Sequence, residues 1–222
     1  MKKPLLLTCI IFIIFLSYDT VAQNIAQVKE VKIGDIIWMS ENLNVDKFRN
    51  GDPILHAKTA DEWYEAIEQG KPAWGYYDND PANGSKFGKL YNWYAVNDPR
   101  GLAPIGWRVP NNKDWGTLST FCGGVIASSA SGVGGPKLKS TKGWQEDGNG
   151  DNSSGFNGLP GGHINGLGGF KQVGIGGYWW SSNELEDEKE RAFAFFLFYI
   201  NEDCGWDDFP KNNGFSVRCV KE

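Results

Sequence analysis

Apolar and polar residues alternate over residues 28–33, and a second apolar run, residues 36–39, follows the pair Gly34-Asp35. Alternation is the period of a half-buried strand, so the two runs predict a hairpin around a Gly-Asp turn. The period changes at Thr59-Ala60-Asp61-Glu62, a capping-box phrase followed by Trp63, Ala66 and Ile67 at helical spacing and by Gly70 as a stop. This predicts a helix over about residues 60–69. A second helix is predicted after Pro110: Asn111 or Asn112 can cap it, Trp115, Leu118 and Cys122 share one face, and Gly123-Gly124 ends it. Residues 72–97 are rich in Trp, Tyr, Asn and Gly without a sustained period and read as irregular, with residues 89–94 the only stretch dense enough for a strand or buried turn. Residues 125–177 are rich in Gly, Ser and Asn, but Trp144, Phe156, Leu159, Ile164 and Phe170 punctuate them, which predicts a long structured loop with short strands. Tyr178-Trp179-Trp180-Ser181 reads as a short strand. Residues 192–200 are apolar on both strand faces and read as a central buried strand, and residues 215–220 as a final strand.

The start of the chain follows a different pattern. Lys2 and Lys3 precede an apolar run over residues 5–16, a length that suits a signal peptide better than a membrane span. Cleavage near residue 23 is expected, leaving residues 24–222 as one exported domain without a transmembrane segment and placing the protein in the periplasm, at the cell surface or outside the cell. The 222 residues carry a net charge of −5, with Lys and Arg at 22 against Asp and Glu at 27, which argues against a nucleic-acid partner. Gly at 29 and Trp at 10 point to a turn-rich, short-stranded chain. Beyond Cys9 the chain holds Cys122, Cys204 and Cys219. In an oxidising compartment that odd number suggests one disulfide and one free thiol. The sequence shows no C-x-x-C, H-E-x-x-H, G-x-S-x-G or phosphate-loop motif.

Six phrases in order carry a resemblance. They are Val31-Lys32-Ile33-Gly34-Asp35 through Trp38-Met39-Ser40-Glu41-Asn42-Leu43-Asn44, then Tyr91-Asn92-Trp93-Tyr94-Ala95, then Pro104-Ile105-Gly106-Trp107-Arg108-Val109-Pro110. Ser154-Gly155-Phe156-Asn157-Gly158-Leu159-Pro160-Gly161-Gly162, Gly177-Tyr178-Trp179-Trp180-Ser181-Ser182 and Gly214-Phe215-Ser216-Val217-Arg218-Cys219-Val220 complete them. Together they resemble the Fibrobacter succinogenes major paralogous domain from about residue 28 to the C-terminus. The resemblance implies kinship with C-type lectin-like domains and formylglycine-generating enzymes. It therefore implies an α+β, C-type lectin-like fold with two principal helices, a short-stranded antiparallel sheet and long irregular loops. It also implies a bridge between Cys122 and Cys219, with Cys204–Cys219 as the alternative.

Two acidic segments are candidate sites. Asp147-Gly148-Asn149-Gly150-Asp151-Asn152-Ser153 sets oxygen side chains at alternate positions between glycines, so Asp147, Asn149 and Asp151 are candidate calcium ligands, and calcium is the one cofactor the sequence offers. The competing reading is a solvated turn, because Asn, Asp and Gly dominate turns for backbone reasons. Glu202, Asp203, Asp207 and Asp208 flank Trp206, and a ring beside carboxylates suits a sugar, so Trp206, Asp207 and Asp208 are candidate ligand-binding residues. Trp38, Trp93, Trp107, Trp115, Trp179 and Trp180 read as core. The expected function is a non-catalytic exported binding or surface module presenting a loop-built site to an extracellular glycan or protein. The alternatives are an enzyme, either a carboxylate-based hydrolase or one like the formylglycine-generating enzymes, and a purely structural surface protein.

Overall fold

A computed structural model describes residues 28–123, 133–200 and 202–222. The expected signal segment, residues 1–23, lies outside them. The predicted hairpin is present as β1 (Glu30–Ile33) and β2 (Ile36–Met39), antiparallel, with Ile33 opposite Ile36 and Gly34 at φ +60° in the turn. Both predicted helices form. In α1 (Ala60–Glu68) the Thr59 hydroxyl accepts from the Glu62 backbone N–H, while the Glu62 carboxylate reaches past Thr59 to the Lys58 N–H. In α4 (Asn112–Cys122) Asn111 and Asp114 form a reciprocal capping box, and Gly123 closes the helix in the left-handed region.

The segment read as irregular is not so. It holds β4 (Ala73–Gly75), α2 (Pro81–Phe87), β5 (Leu90–Tyr91) and α3 (Trp93–Val96). Asp80 caps α2 with Pro81 in its first turn, and Asn92 caps α3. These elements are two to seven residues long, too short to show a period, and β4 pairs in parallel with the distant β3 (Leu55–His56). A fifth helix, α5, spans Gly135–Leu138, and β6 spans Trp107–Arg108.

The remaining strands are β7 (Gly161–Ile164), β8 (Phe170–Val173), β9 (Gly176–Glu184), β10 (Arg191–Phe198), β11 (Cys204–Pro210) and β12 (Val220–Lys221). They sort into four small sheets ordered β1-β2-β12-β6, β11-β10-β9, β3-β4-β5 and β7-β8. The expected C-type lectin-like fold with two principal helices is therefore corrected: the domain is mostly β, with several small sheets and five α-helices among the described residues.

As expected, β10 is a central strand buried on both faces. Ala192, Ala194 and Phe196 belong to one core with Tyr91, Trp180 and Phe215. Phe195 and Leu197 belong to a second core with Trp38, Trp115 and Trp179, because successive strand side chains point to opposite faces. A third, smaller core collects Trp63, Ala66, Ala73 and Ile164 under α1.

The expected single strand over residues 215–220 is also corrected. Gly214 bridges Ile164, Phe215 bridges Tyr91, Ser216 bridges Trp179, and only Val220–Lys221 pairs as a strand, between β2 and β6. The terminal segment crosses from sheet to sheet and hydrogen-bonds to each in turn. That path explains why its apolar pattern mimics one strand while its partners are many.

Candidate functional site

The phrases that carry the resemblance meet in the interior. Met39 N–H donates to the Cys219 carbonyl at 2.9 Å and Leu43 N–H to the Val217 carbonyl at 2.8 Å, laying residues 39–43 along the terminal segment. Between them Asn42 Oδ1 accepts from Arg218 Nε (3.0 Å), Arg218 Nη2 (2.6 Å) and Trp179 Nε1 (2.9 Å). Asn42 Nδ2 donates to the Phe87 carbonyl and to Ser216 Oγ. Arg218 is fully buried, donates also to the carbonyls of Met39 and Phe156, and stacks its guanidinium 4.5 Å from the Phe156 ring centre. Burial pushes its pKa down to about 9. This hub is a cross-link between four of the six phrases, with Arg218, Trp179 and Ser216 buried and Asn42 half-buried.

Asp147, Asn149 and Asp151 are exposed; Asn149 Oδ1 accepts from the Trp144 N–H and Asp151 Oδ1 from the Ser153 N–H. The N–H of Ser153 also holds the Asp151 carboxyl below its usual range. The glycines between them answer to close approach: a Cβ on Gly150 would lie 2.2 Å from the Pro136 carbonyl oxygen, and one on Gly148 2.5 Å from that of Tyr199. The segment is thus a packed turn held by its own side chains. Among the described residues no group of three or more His, Cys, Asp and Glu is placed to hold a metal ion.

The second candidate set is split by the strand itself. Trp206 is 8% exposed and belongs to the second core, Asp207 faces solvent, and Asp208 pairs with Arg191. Adjacent residues of β11 point to opposite faces, so the ring and the Asp207 carboxylate cannot grip one ligand. Indeed all ten tryptophans are buried, which leaves no indole at the surface to stack on a sugar.

The bridge expected between Cys122 and Cys219 is absent, and so is Cys204–Cys219. All three cysteines are buried free thiols. Val220 and Cys122 share the second core while Cys219 points into the first, so strand alternation separates Cys219 from both others.

A surface cleft of about 330 Å³ remains, and sequence reasoning missed it. It is lined by the apolar side chains of Val96, Leu102, Ala103 and Val109, by Gly101, and by the polar side chains of Arg49, Arg108, Asn111 and Ser182. Arg108 donates from Nη1 and Nη2 to the two oxygens of Asp114 at 2.5 and 2.9 Å, and those bonds raise its pKa. Asp114 is itself held by the Asn111 N–H, so the capping box of α4 fixes the arginine. Arg49 donates from Nε to the Ala103 carbonyl (3.0 Å) and from Nη2 to the carbonyls of Pro104 and Trp107 and to Glu222. Both arginine side chains remain more than a third exposed. No local signal joins Arg49 to residues 103–107; the fold alone brings them together.

The family model of the Fibrobacter succinogenes major domain matches residues 31–221. No curated protein and no solved structure matches the chain. The match carries the family name and not the wider kinship with C-type lectins or formylglycine-generating enzymes.

Proposed function

The chain belongs to the Fibrobacter succinogenes major domain family, and on that premise we propose that it is an exported, non-catalytic binding module whose ligand seat is the Arg49–Arg108 cleft. The observation that carries this reading is the pinned guanidinium of Arg108, held at two points by Asp114 in the lining of a cleft that also presents apolar side chains. Donors already immobilised lose little rotamer freedom when a ligand arrives. Arg108 is matched by Asp114 and Arg49 by Glu222, so the wall presents N–H groups with little net charge. That chemistry suits a neutral ligand rich in hydroxyls, such as a glycan, better than a polyanion. The small aliphatic side chains in the lining suit the C–H face of a sugar, and the volume is at the lower end of ligand sites, about 300–1,000 Å³. Export rests on Lys2, Lys3 and the apolar run over residues 5–16.

The test is a glycan array with the purified protein, followed by calorimetric titration of any ligand found. Ser182→Trp, which fills the cleft from an exposed position, and Arg108→Ala should each weaken binding by roughly tenfold or more, equivalent to about 1.4 kcal/mol. A ligand whose affinity ignores both changes places the seat elsewhere, and an array without signal removes the glycan reading.

A further inference from the structure

The described cysteines divide unevenly between the cores. Cys219 faces the first, whereas Cys122 and Cys204 both face the second. Cys122 ends α4, Cys204 begins β11, and the helix packs on that strand. The Cys204 sulfur lies 3.3 Å from the hydroxyl of Ser119, and Ser119 precedes Cys122 by three residues on α4. Helical residues three apart are neighbours on one face, about 5–6 Å between their Cβ atoms. Ser119, Cys122 and Cys204 are all at most 2% exposed, so the three side chains share one closed compartment.

We propose that Cys122 and Cys204 form a disulfide tying α4 to β11 when the chain folds under oxidising conditions, leaving Cys219 as the free thiol. The oxidant is a disulfide, either a small one such as oxidised glutathione or that of a thiol oxidoreductase. One cysteine thiolate attacks a sulfur of that disulfide, forms a mixed disulfide and expels the first oxidant thiolate. The second cysteine thiolate then attacks the protein-side sulfur, forms the Cys122–Cys204 bond and expels the second. The two protons released by the cysteines end on the two oxidant thiols. Burial pushes Cys122 up to about 11 and Cys204 upward too, so thiolate is scarce once the core has closed. The exchange therefore belongs to folding, before α4 seats on β11, and the finished bond is shielded from reductants.

The experiment is refolding of the full chain, with Cys9 replaced by serine, in a buffer of oxidised and reduced glutathione, followed by alkylation and peptide mapping without reduction. It does not depend on where the protein resides or on what the cleft binds. The expected result is one linked peptide pair, containing Cys122 and Cys204, with Cys219 alkylated after unfolding. Cys219→Ala should keep the bond and leave no free thiol, whereas Cys122→Ala should leave two free thiols and no bond. Three free thiols in the folded, oxidised protein, or any link that includes Cys219, would overturn the proposal. Should Cys122→Ala fail to fold, the Cys219→Ala variant decides alone, since it contains only the proposed pair.

Discussion

Two guanidiniums in this molecule show what surroundings do to one side chain. Arg218 sits in the interior with no solvent exposure; its hydrogen bonds run to Asn42 and to two carbonyls, and its guanidinium stacks on the face of Phe156. Arg108 sits at the rim of a cleft, 40% exposed, and its hydrogen bonds run to one carboxylate. The buried one has given up water for a neutral amide and backbone dipoles, so every partner it holds is needed. The rim one keeps water on one side, so its pair with Asp114 adds orientation more than stability. The first is a structural cross-link, and the second is a donor held ready for another molecule.

The sharpest way to break this contrast is to remove Asn42. Asn42→Ala deprives Arg218 and Trp179 of their shared acceptor and should destabilise the fold by about 3–5 kcal/mol, the range for a buried ion stripped of a partner; chemical denaturation measures it. A loss below 1 kcal/mol would make the interior no different from the rim.

Next in size is the response of the interior to pH. His163 packs against Tyr178 and Phe215, and burial, with Lys171 adding to it, lowers its pKa to about 4. The unfolded chain binds this proton near pH 6.5 and the folded chain only near 4, so the histidine's contribution is complete above about 6.5 and is lost as pH falls toward 4. The loss should be on the order of 2–3 kcal/mol. His163→Gln should flatten that part of the stability profile, and an unchanged slope would assign it to other groups.

At the rim, Asp114→Ala removes the α4 capping box and frees Arg108, and should lower stability by about 1–2 kcal/mol. Arg108→Ala leaves the cap in place and should lower it by less than about 1 kcal/mol, because the arginine is partly in water and Asp114 keeps the Asn111 N–H. If thermal unfolding ranked these two variants in the opposite order, Asp114 would serve the arginine and not the helix.

Much of the local structure was legible without coordinates, because its causes are near in sequence. The β1-β2 turn needs only Gly34 at positive φ, α1 and α4 carry their caps beside them, and β10 shows apolar residues on both faces. The six tryptophans read as core are each at most 6% exposed. Asp80-Pro81 was also a local start signal for α2, hidden in a segment read as irregular. What sequence could not decide depends on partners far along the chain. Asp147, Asn149 and Asp151 have the composition of a cation loop, yet the glycines among them make room for Pro136 and Tyr199. Trp206 and Asp207 are neighbours in the chain and are parted by the pleat of β11, while Asp208 is taken up by Arg191. The path of residues 214–220 through several sheets, the meeting of Asn42 with Arg218 and the cleft between Arg49 and Arg108 arise only when distant segments pack. Caps and turns are set by bonds within a few residues, whereas burial and convergence are properties of the whole folded chain, and sites are built from convergence.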